Sequence, residues 1–228
     1  MLFRSVVSYE PEKGTLESSA DHDALFTRSM KEGNTKVNRK EGDVAAAFAS
    51  AAKVIAREYE CPFIPHNPIE PMNFFAHVRP DGVELVGPTQ TPASARKAVS
   101  DLLKIPEANI TVEITRLGGG FGRRLKFDYV VEAAEVSSIV KKPVKLIWTR
   151  EDDMTQGPFR PGAVYGCKGS VNAGGRVSSL QYKMAAQDMD HQWSPNPDKT
   201  AFNTSNTEGF CEAYYPNIPH HSFSDVPT

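Results

Sequence analysis

Around one glycine-rich loop the apolar period of the chain changes from that of a strand to that of a helix. Residues Asn109-Ile110-Thr111-Val112-Glu113-Ile114 alternate with period two, which predicts a strand. Leu117-Gly118-Gly119-Gly120-Phe121-Gly122 follows, and residues 128–140 then read as a helix with Asp128 as its cap. Lys141-Lys142-Pro143 ends that helix, and Val144 to Trp148 reads as a second strand. Strand, glycine loop, helix and strand in succession demand a sheet with a helix laid on it. The predicted fold class is therefore α+β, with helices packed on one face of mixed sheets in two layers.

The flanking patterns extend this plan. Two apolar runs at 74–78 and 83–86 flank Pro80-Asp81-Gly82 and predict a hairpin. A helix is expected from Thr91 as N-cap and Pro92 as first residue, with Ala95, Val99, Leu102 and Leu103 on its apolar face and Ile105-Pro106 closing it. Upstream, Val44, Phe48, Ala51, Ile55 and Tyr59 are spaced by fours and threes, predicting one helix from the Asp43 cap to about Glu60. Val164–Ser170 and Val177–Ala186 read as a strand pair turning at Ala173-Gly174-Gly175. Residues 1–42 carry weak periodicity, with a possible strand end at Val6-Val7-Ser8-Tyr9 and a turn at Lys13-Gly14. Past Gln187 the pattern fades into Asn, Ser, Pro and His.

Composition excludes several classes. Of 228 residues, 39% are hydrophobic, and 16 glycines plus 17 prolines are too few for a low-complexity chain. A net charge of −2 disfavours nucleic acid as a partner. No apolar run reaches the ~18 residues of a membrane span, and Met1-Leu2-Phe3-Arg4 is too short an apolar start for a signal peptide; the compartment stays open. Cys61, Cys167 and Cys211 lie far apart, giving neither a disulfide framework nor a metal-binding pair.

The chemistry concentrates near the glycines. Glycines let backbone amides approach an anion, and Arg116, Arg123, Arg124 and Lys126 surround the loop with cations. Neither standard nucleotide loop fits. The dinucleotide pattern would need glycine where Arg123 stands, and no Lys-Ser or Lys-Thr follows Gly118 or Gly122. The loop is thus either a seat for an anionic cofactor or substrate, or a tight strand–helix turn. Gln90, in Pro88-Thr89-Gln90-Thr91-Pro92, stands at a helix entrance where its amide could meet a ligand or simply cap. Prolines in His66-Asn67-Pro68-Ile69-Glu70-Pro71-Met72 fix the backbone and could hold His66 or Glu70 in place. No second His or Cys sits there at zinc-ligand spacing. Trp148-Thr149-Arg150-Glu151-Asp152-Asp153 reads as a solvated charge run, and His220-His221 as surface polarity.

In order along the chain, Gly42-Asp43-Val44, the 66–72 block, the 88–92 block, Leu117 to Arg124 and Pro143 to Met154 resemble the molybdenum hydroxylase large subunits, the xanthine dehydrogenase and aldehyde oxidase family. The resemblance covers about residues 42–190. It implies a molybdopterin cofactor carrying molybdenum, usually the cytosine dinucleotide form in bacteria. It implies hydroxylation of an aldehyde or N-heteroaromatic carbon with water-derived oxygen, and electron transfer to a small 2Fe–2S subunit or domain. By position, Gln90 matches the glutamine that bonds the apical oxo of molybdenum. Gly119, Gly120, Phe121, Gly122 and Arg123 match the cofactor-binding loop, and no residue of the chain is a metal ligand. Xanthine-oxidising members carry glutamate three residues after the Phe-Gly pair; Leu125 stands here, which points away from purines. The family's catalytic base lies in a Gly-x-Gly-Glu block that this chain lacks, so no catalytic residue is expected in it. The resemblance thus implies a fragment. Residues 1–42 would be the tail of a preceding small domain or a linker, 43–190 the first molybdopterin-binding domain, and 191–228 an irregular segment leading to the remainder of the large subunit. Alone, such a fragment is expected to be inactive and to hold no cofactor. The alternative from the residues themselves is a non-catalytic phosphate- or nucleotide-binding α+β module, gripping its ligand with Arg123 and Arg124.

Overall fold

The computed structural model describes residues 18–33, 35–187, 218 and 220–226. In chain order these form α1 (Ser19–Glu32), β1 (Lys36–Glu41), α2 (Val44–Ala49), β2 (Lys53–Cys61), β3 (Asn73–Arg79), β4 (Gly82–Gly87), α3 (Pro92–Leu103), β5 (Ile110–Ile114), α4 (Asp128–Val140), β6 (Val144–Ile147), α5 (Arg150–Thr155), β7 (Ala163–Val171), β8 (Val177–Ala186) and β9 (His220–Val226). Single 3₁₀ turns lie at Glu107–Asn109 and Arg123–Leu125. The chain divides into two compact units: Pro62–Pro161, and Met1–Cys61 with Gly162–Thr228. The architecture is α+β, as the pattern predicts.

The unit Pro62–Pro161 carries a four-stranded sheet in the order β5-β4-β3-β6. β3 runs antiparallel to β4 and β6, while β4 and β5 are parallel. The hairpin turns through Pro80 and Asp81, since Arg79 pairs directly with Gly82. Helices α3 and α4 touch each other and cover the sheet. Between the layers lie Met72, Phe74, Ala76, Val83, Leu85, Ala95, Val99, Ile110, Tyr129, Val130, Ala133 and Ala134, all buried. Each large side chain buried there is worth roughly 1.5–3 kcal/mol relative to exposure. A polar rivet joins the layers: the Val78 amide donates to Ser137 Oγ at 3.0 Å, and that hydroxyl donates to Lys142 O at 2.7 Å.

The other unit holds a five-stranded sheet, β1-β9-β8-β7-β2. β8 and β9 are parallel, and the remaining neighbours antiparallel. Both α1 and α2 pack on the face that presents Gly166, Lys168 and Lys183. Lys183 Nζ donates to Met30 O at 2.6 Å, and the Lys168 ammonium stands 4.3 Å from the Phe48 ring centre.

The expected helix from Asp43 to Glu60 is corrected. Asp43 does cap α2, accepting the Ala46 amide at 2.9 Å, but the helix stops at Ala49. Lys53–Cys61 is instead a strand with nine residues in register against β7. Ala51, Ile55 and Tyr59 are four apart, and a spacing of four also places residues on one face of a strand. β-Branched Val54 and Ile55 and aromatic Tyr59 suit the strand, and the long ladder decides the matter. Asp128 is likewise not a cap: it is the first helical residue, with Phe127 at the cap position and the Asp128 carboxylate engaged elsewhere. Helix α1 and strands β1 and β9 were not expected. Only Phe26 of α1 is buried, so it carries no apolar stripe. Strands β1 (KVNRKE) and β9 (HHSFSDV) are mostly polar. The turn at Lys13-Gly14 and the strand end at 6–9 lie outside the described residues.

Candidate functional site

The glycine loop leaves β5 and enters α4 through the 3₁₀ turn Arg123–Leu125. Three residues of the loop have positive φ: Gly119 at 106°, Phe121 at 52° and Gly122 at 93°. Only glycine takes such angles without strain, so Phe121 is held there by its surroundings. The amides of Gly119, Gly120, Phe121 and Gly122 donate to no other described residue. The loop therefore presents a row of open N–H donors.

Beneath this row the loop is pinned. Arg124 is fully buried. Its Nε donates to Gly119 O at 2.8 Å, Nη1 to Pro88 O at 3.4 Å, and Nη2 to Glu70 O and Glu70 Oε2, both at 2.9 Å. Glu70 Oε2 also accepts the Gly118 amide at 2.8 Å, and Oε1 accepts from Asn73 Nδ2 at 2.9 Å. Lys145 Nζ donates to Asn73 Oδ1 at 2.7 Å. Burial pushes the Glu70 carboxyl up, but the bonds from Gly118 and Asn73 and the charges of Arg124 and Lys145 outweigh it, and the carboxyl sits below its ordinary value.

Gln90 belongs to the same assembly. β4 ends at Gly87, and the 88–91 segment is laced to the loop's far side. The Gln90 amide donates to Arg124 O at 3.0 Å, and Thr91 Oγ1 donates to Leu125 O at 2.9 Å. Thr91 thus occupies the N-cap position, but its hydroxyl serves this cross-link rather than the helix. Gln90 is exposed and lies against Gly120, where a Cβ would stand 2.7 Å from its Oε1. The structure therefore brings together Gln90, Gly119, Gly120, Phe121 and Gly122.

Arg123 faces the other way. Only 2% exposed, it donates to Asp128 Oδ1 at 2.9 Å and Oδ2 at 2.7 Å, and its guanidinium lies 5.2 Å from the Trp148 ring centre. Both arginines are thus committed inside the unit, which removes the reading of a module that grips phosphate with Arg123 and Arg124. The 148–153 run is solvated only in part: Glu151 and Asp152 are exposed, but Asp153 is not. Thr149 and Asp152 form a capping box for α5, and Asp153, 4% exposed, pairs with Arg150 at 2.9 Å. His221 is also buried, with Nε2 3.7 Å from a Glu41 carboxylate oxygen, rather than a surface group.

His66 lies half-buried under Gly122, with Nε2 3.5 Å from where a Cβ would stand. Burial, then the charges of Arg160 and Arg123, hold its pKa below the ordinary 6.5. Its Nδ1 is buried without a partner among the described residues. Among those residues no cluster of His, Cys, Asp or Glu side chains is placed to hold a metal ion, and no helix is long and apolar enough to cross a membrane.

Residues 27–223 match the molybdopterin cofactor-binding domain family. The chain belongs to that family. The likeness of its motifs to molybdenum hydroxylase large subunits is upheld. This molybdopterin cofactor-binding chain is 35% identical over 163 residues to a membrane-bound aldehyde dehydrogenase (pyrroloquinoline-quinone) of Gluconacetobacter polyoxogenes, covering 68% of this chain and 21% of that protein. It is 29% identical over 184 residues to the isoquinoline 1-oxidoreductase subunit beta of Brevundimonas diminuta, covering 77% and 24%. The fold is similar to part of an aldehyde oxidoreductase from Desulfovibrio gigas, with TM-score 0.61 at 16% identity over 84% of this chain and 21% of the other. The chain thus spans between a fifth and a quarter of these relatives. The loop fits the family's cofactor: an anionic, oxygen-rich group suits a row of amides that donate to no other described residue.

Proposed function

We propose that this chain forms part of the molybdopterin-binding subunit of an oxidoreductase that hydroxylates an aldehyde or N-heteroaromatic substrate with water-derived oxygen. The observation that carries the reading is the open amide row at Gly119–Gly122 beside Gln90, within a chain whose family match spans 27–223. When bound, the molybdenum cofactor, proposed to be the cytosine dinucleotide form, supplies the oxygen transfer and accepts the electrons. The chain's own residues bind and orient. The amides of Gly119, Gly120, Phe121 and Gly122 donate to the group, and the Gln90 carboxamide adds a donor beside them. The Arg123 guanidinium, paired with Asp128, ties the exit of the loop to the first turn of α4. The stretch 43–190 serves as the first molybdopterin-binding domain. Electrons leave to a 2Fe–2S subunit or domain, and the rest of a larger subunit supplies the catalytic base. Leu125 in place of a carboxylate favours an aldehyde or apolar heteroaromatic over a purine.

The test is elemental and nucleotide analysis of the protein purified from its native host, with a dye-reduction assay on aldehydes and N-heterocycles. Stoichiometric molybdenum, released cytosine nucleotide and substrate-dependent dye reduction are expected. A protein free of molybdenum that binds simple nucleotides would overturn the reading.

A further inference from the structure

We propose that Glu70 is the positioning residue of the glycine loop: through the Gly118 amide and the Arg124 guanidinium it sets where the open amides of Gly119–Gly122 stand. The proposal rests on the cofactor-binding reading above. Arg124 finds a single charged partner among the described residues, and that partner is Glu70. Its other acceptors are the carbonyls of Gly119, Pro88 and Glu70 itself, so one buried cation ties together the loop, the Gln90 segment and the proline-fixed 66–72 segment. The Glu70 side chain closes the circuit by receiving the first amide of the loop, at Gly118, immediately before the open ones. The fit at this point is close: a Cβ on Gly118 would stand 2.4 Å from Glu70 Cβ, and one on Gly119 would stand 3.1 Å from Pro68 Cβ. A loop with three residues in the left-handed region relaxes unless fixed from outside, and this circuit fixes it.

The charge arithmetic separates positioning from simple electrostatics. With Glu70 ionised, the pair is neutral beneath the loop. Replacing Glu70 by Gln leaves Arg124 as a net positive charge under the amides. Electrostatics alone would then hold an anionic cofactor at least as well; positioning requires that it be held less well.

The experiment compares wild type, Glu70→Gln and Glu70→Ala, each purified from the native host and checked for a cooperative thermal transition. Amide hydrogen exchange of the peptide spanning 116–125 is measured on cofactor-free protein, and molybdenum per chain on protein as isolated. Exchange is expected to rise by about tenfold or more in Glu70→Ala, with a smaller rise in Glu70→Gln, because a lost charge-assisted bond raises local opening by that order. Molybdenum content is expected to fall at least about twofold in both, as a displaced donor row holds its ligand less well. If Glu70→Ala does not fold, Glu70→Gln carries both readouts. Unchanged exchange overturns the pin. Faster exchange with molybdenum unchanged or raised in Glu70→Gln overturns its positioning role. Wild type free of molybdenum overturns the function proposed above and leaves the exchange readout to judge the pin.

Discussion

A Cβ on Gly120 would stand 2.7 Å from Oε1 of Gln90, so the glutamine occupies the space that any larger residue at 120 would need. The contact is with the far end of an exposed, flexible side chain, and Gly120 does not take a positive φ. Replacing it with alanine therefore displaces Gln90 without straining the backbone.

From this follows a matched pair of variants. Gly120→Ala is expected to change stability by less than about 1 kcal/mol. In the full molybdenum enzyme it should lower turnover by roughly ten- to a hundredfold, as should Gln90→Ala. Thermal unfolding and turnover normalised to molybdenum check both. Wild-type turnover in either variant refutes the role given to Gln90.

Asp128 and Arg123 make a test of the opposite kind. Asp128→Asn leaves the guanidinium of Arg123, 2% exposed, without its countercharge. Removing one partner of a buried pair costs roughly 3 kcal/mol, the low end applying because Asp128 is partly open to solvent. Urea unfolding of the variant measures it. A loss below about 1 kcal/mol would mean that water reaches Arg123.

At Gly87 the neighbour is core rather than surface. An added Cβ would lie 2.5 Å from the Phe74 ring, which is fully buried. Gly87→Ala is expected to destabilise the unit by about 1–3 kcal/mol through overpacking. Denaturant titration decides; an unchanged midpoint would show that Phe74 has room to turn.

His66 should titrate below 6.5 in an NMR pH series. The sign follows from linkage: the unfolded state takes up its proton first as pH falls. The neutral ring's contribution to stability is thus complete above pH 6.5 and declines from there towards the folded pKa. His66→Gln should remove that slope. A folded midpoint at or above 6.5 contradicts the buried, cation-flanked setting.

The middle of the chain was legible because each of its elements carries a single local signal. Alternation marks β5, a Pro-Asp-Gly turn separates β3 from β4, and a Thr-Pro start with Ala95 and Val99 on one face marks α3. The site was legible in part. Glycines announced open backbone, and prolines announced that Glu70 is held; what Glu70 holds depends on Arg124, 54 residues away, and no local pattern encodes that pairing. The Arg123 guanidinium is claimed by Asp128, five residues on, a pairing that a cation beside a glycine loop does not advertise. β9 escaped because its partners, β1 and β8, supply the pairing that its polar sequence does not advertise.

Phe121 carries a final consequence. The residue is 64% exposed and its φ is 52°, a conformation that costs a non-glycine residue about 1 kcal/mol or more. A glycine at 121 would relax the backbone and remove little buried surface. The ring rests by one edge against Gly119, and the exposed remainder of the residue leaves apolar surface on an otherwise polar, glycine-lined loop.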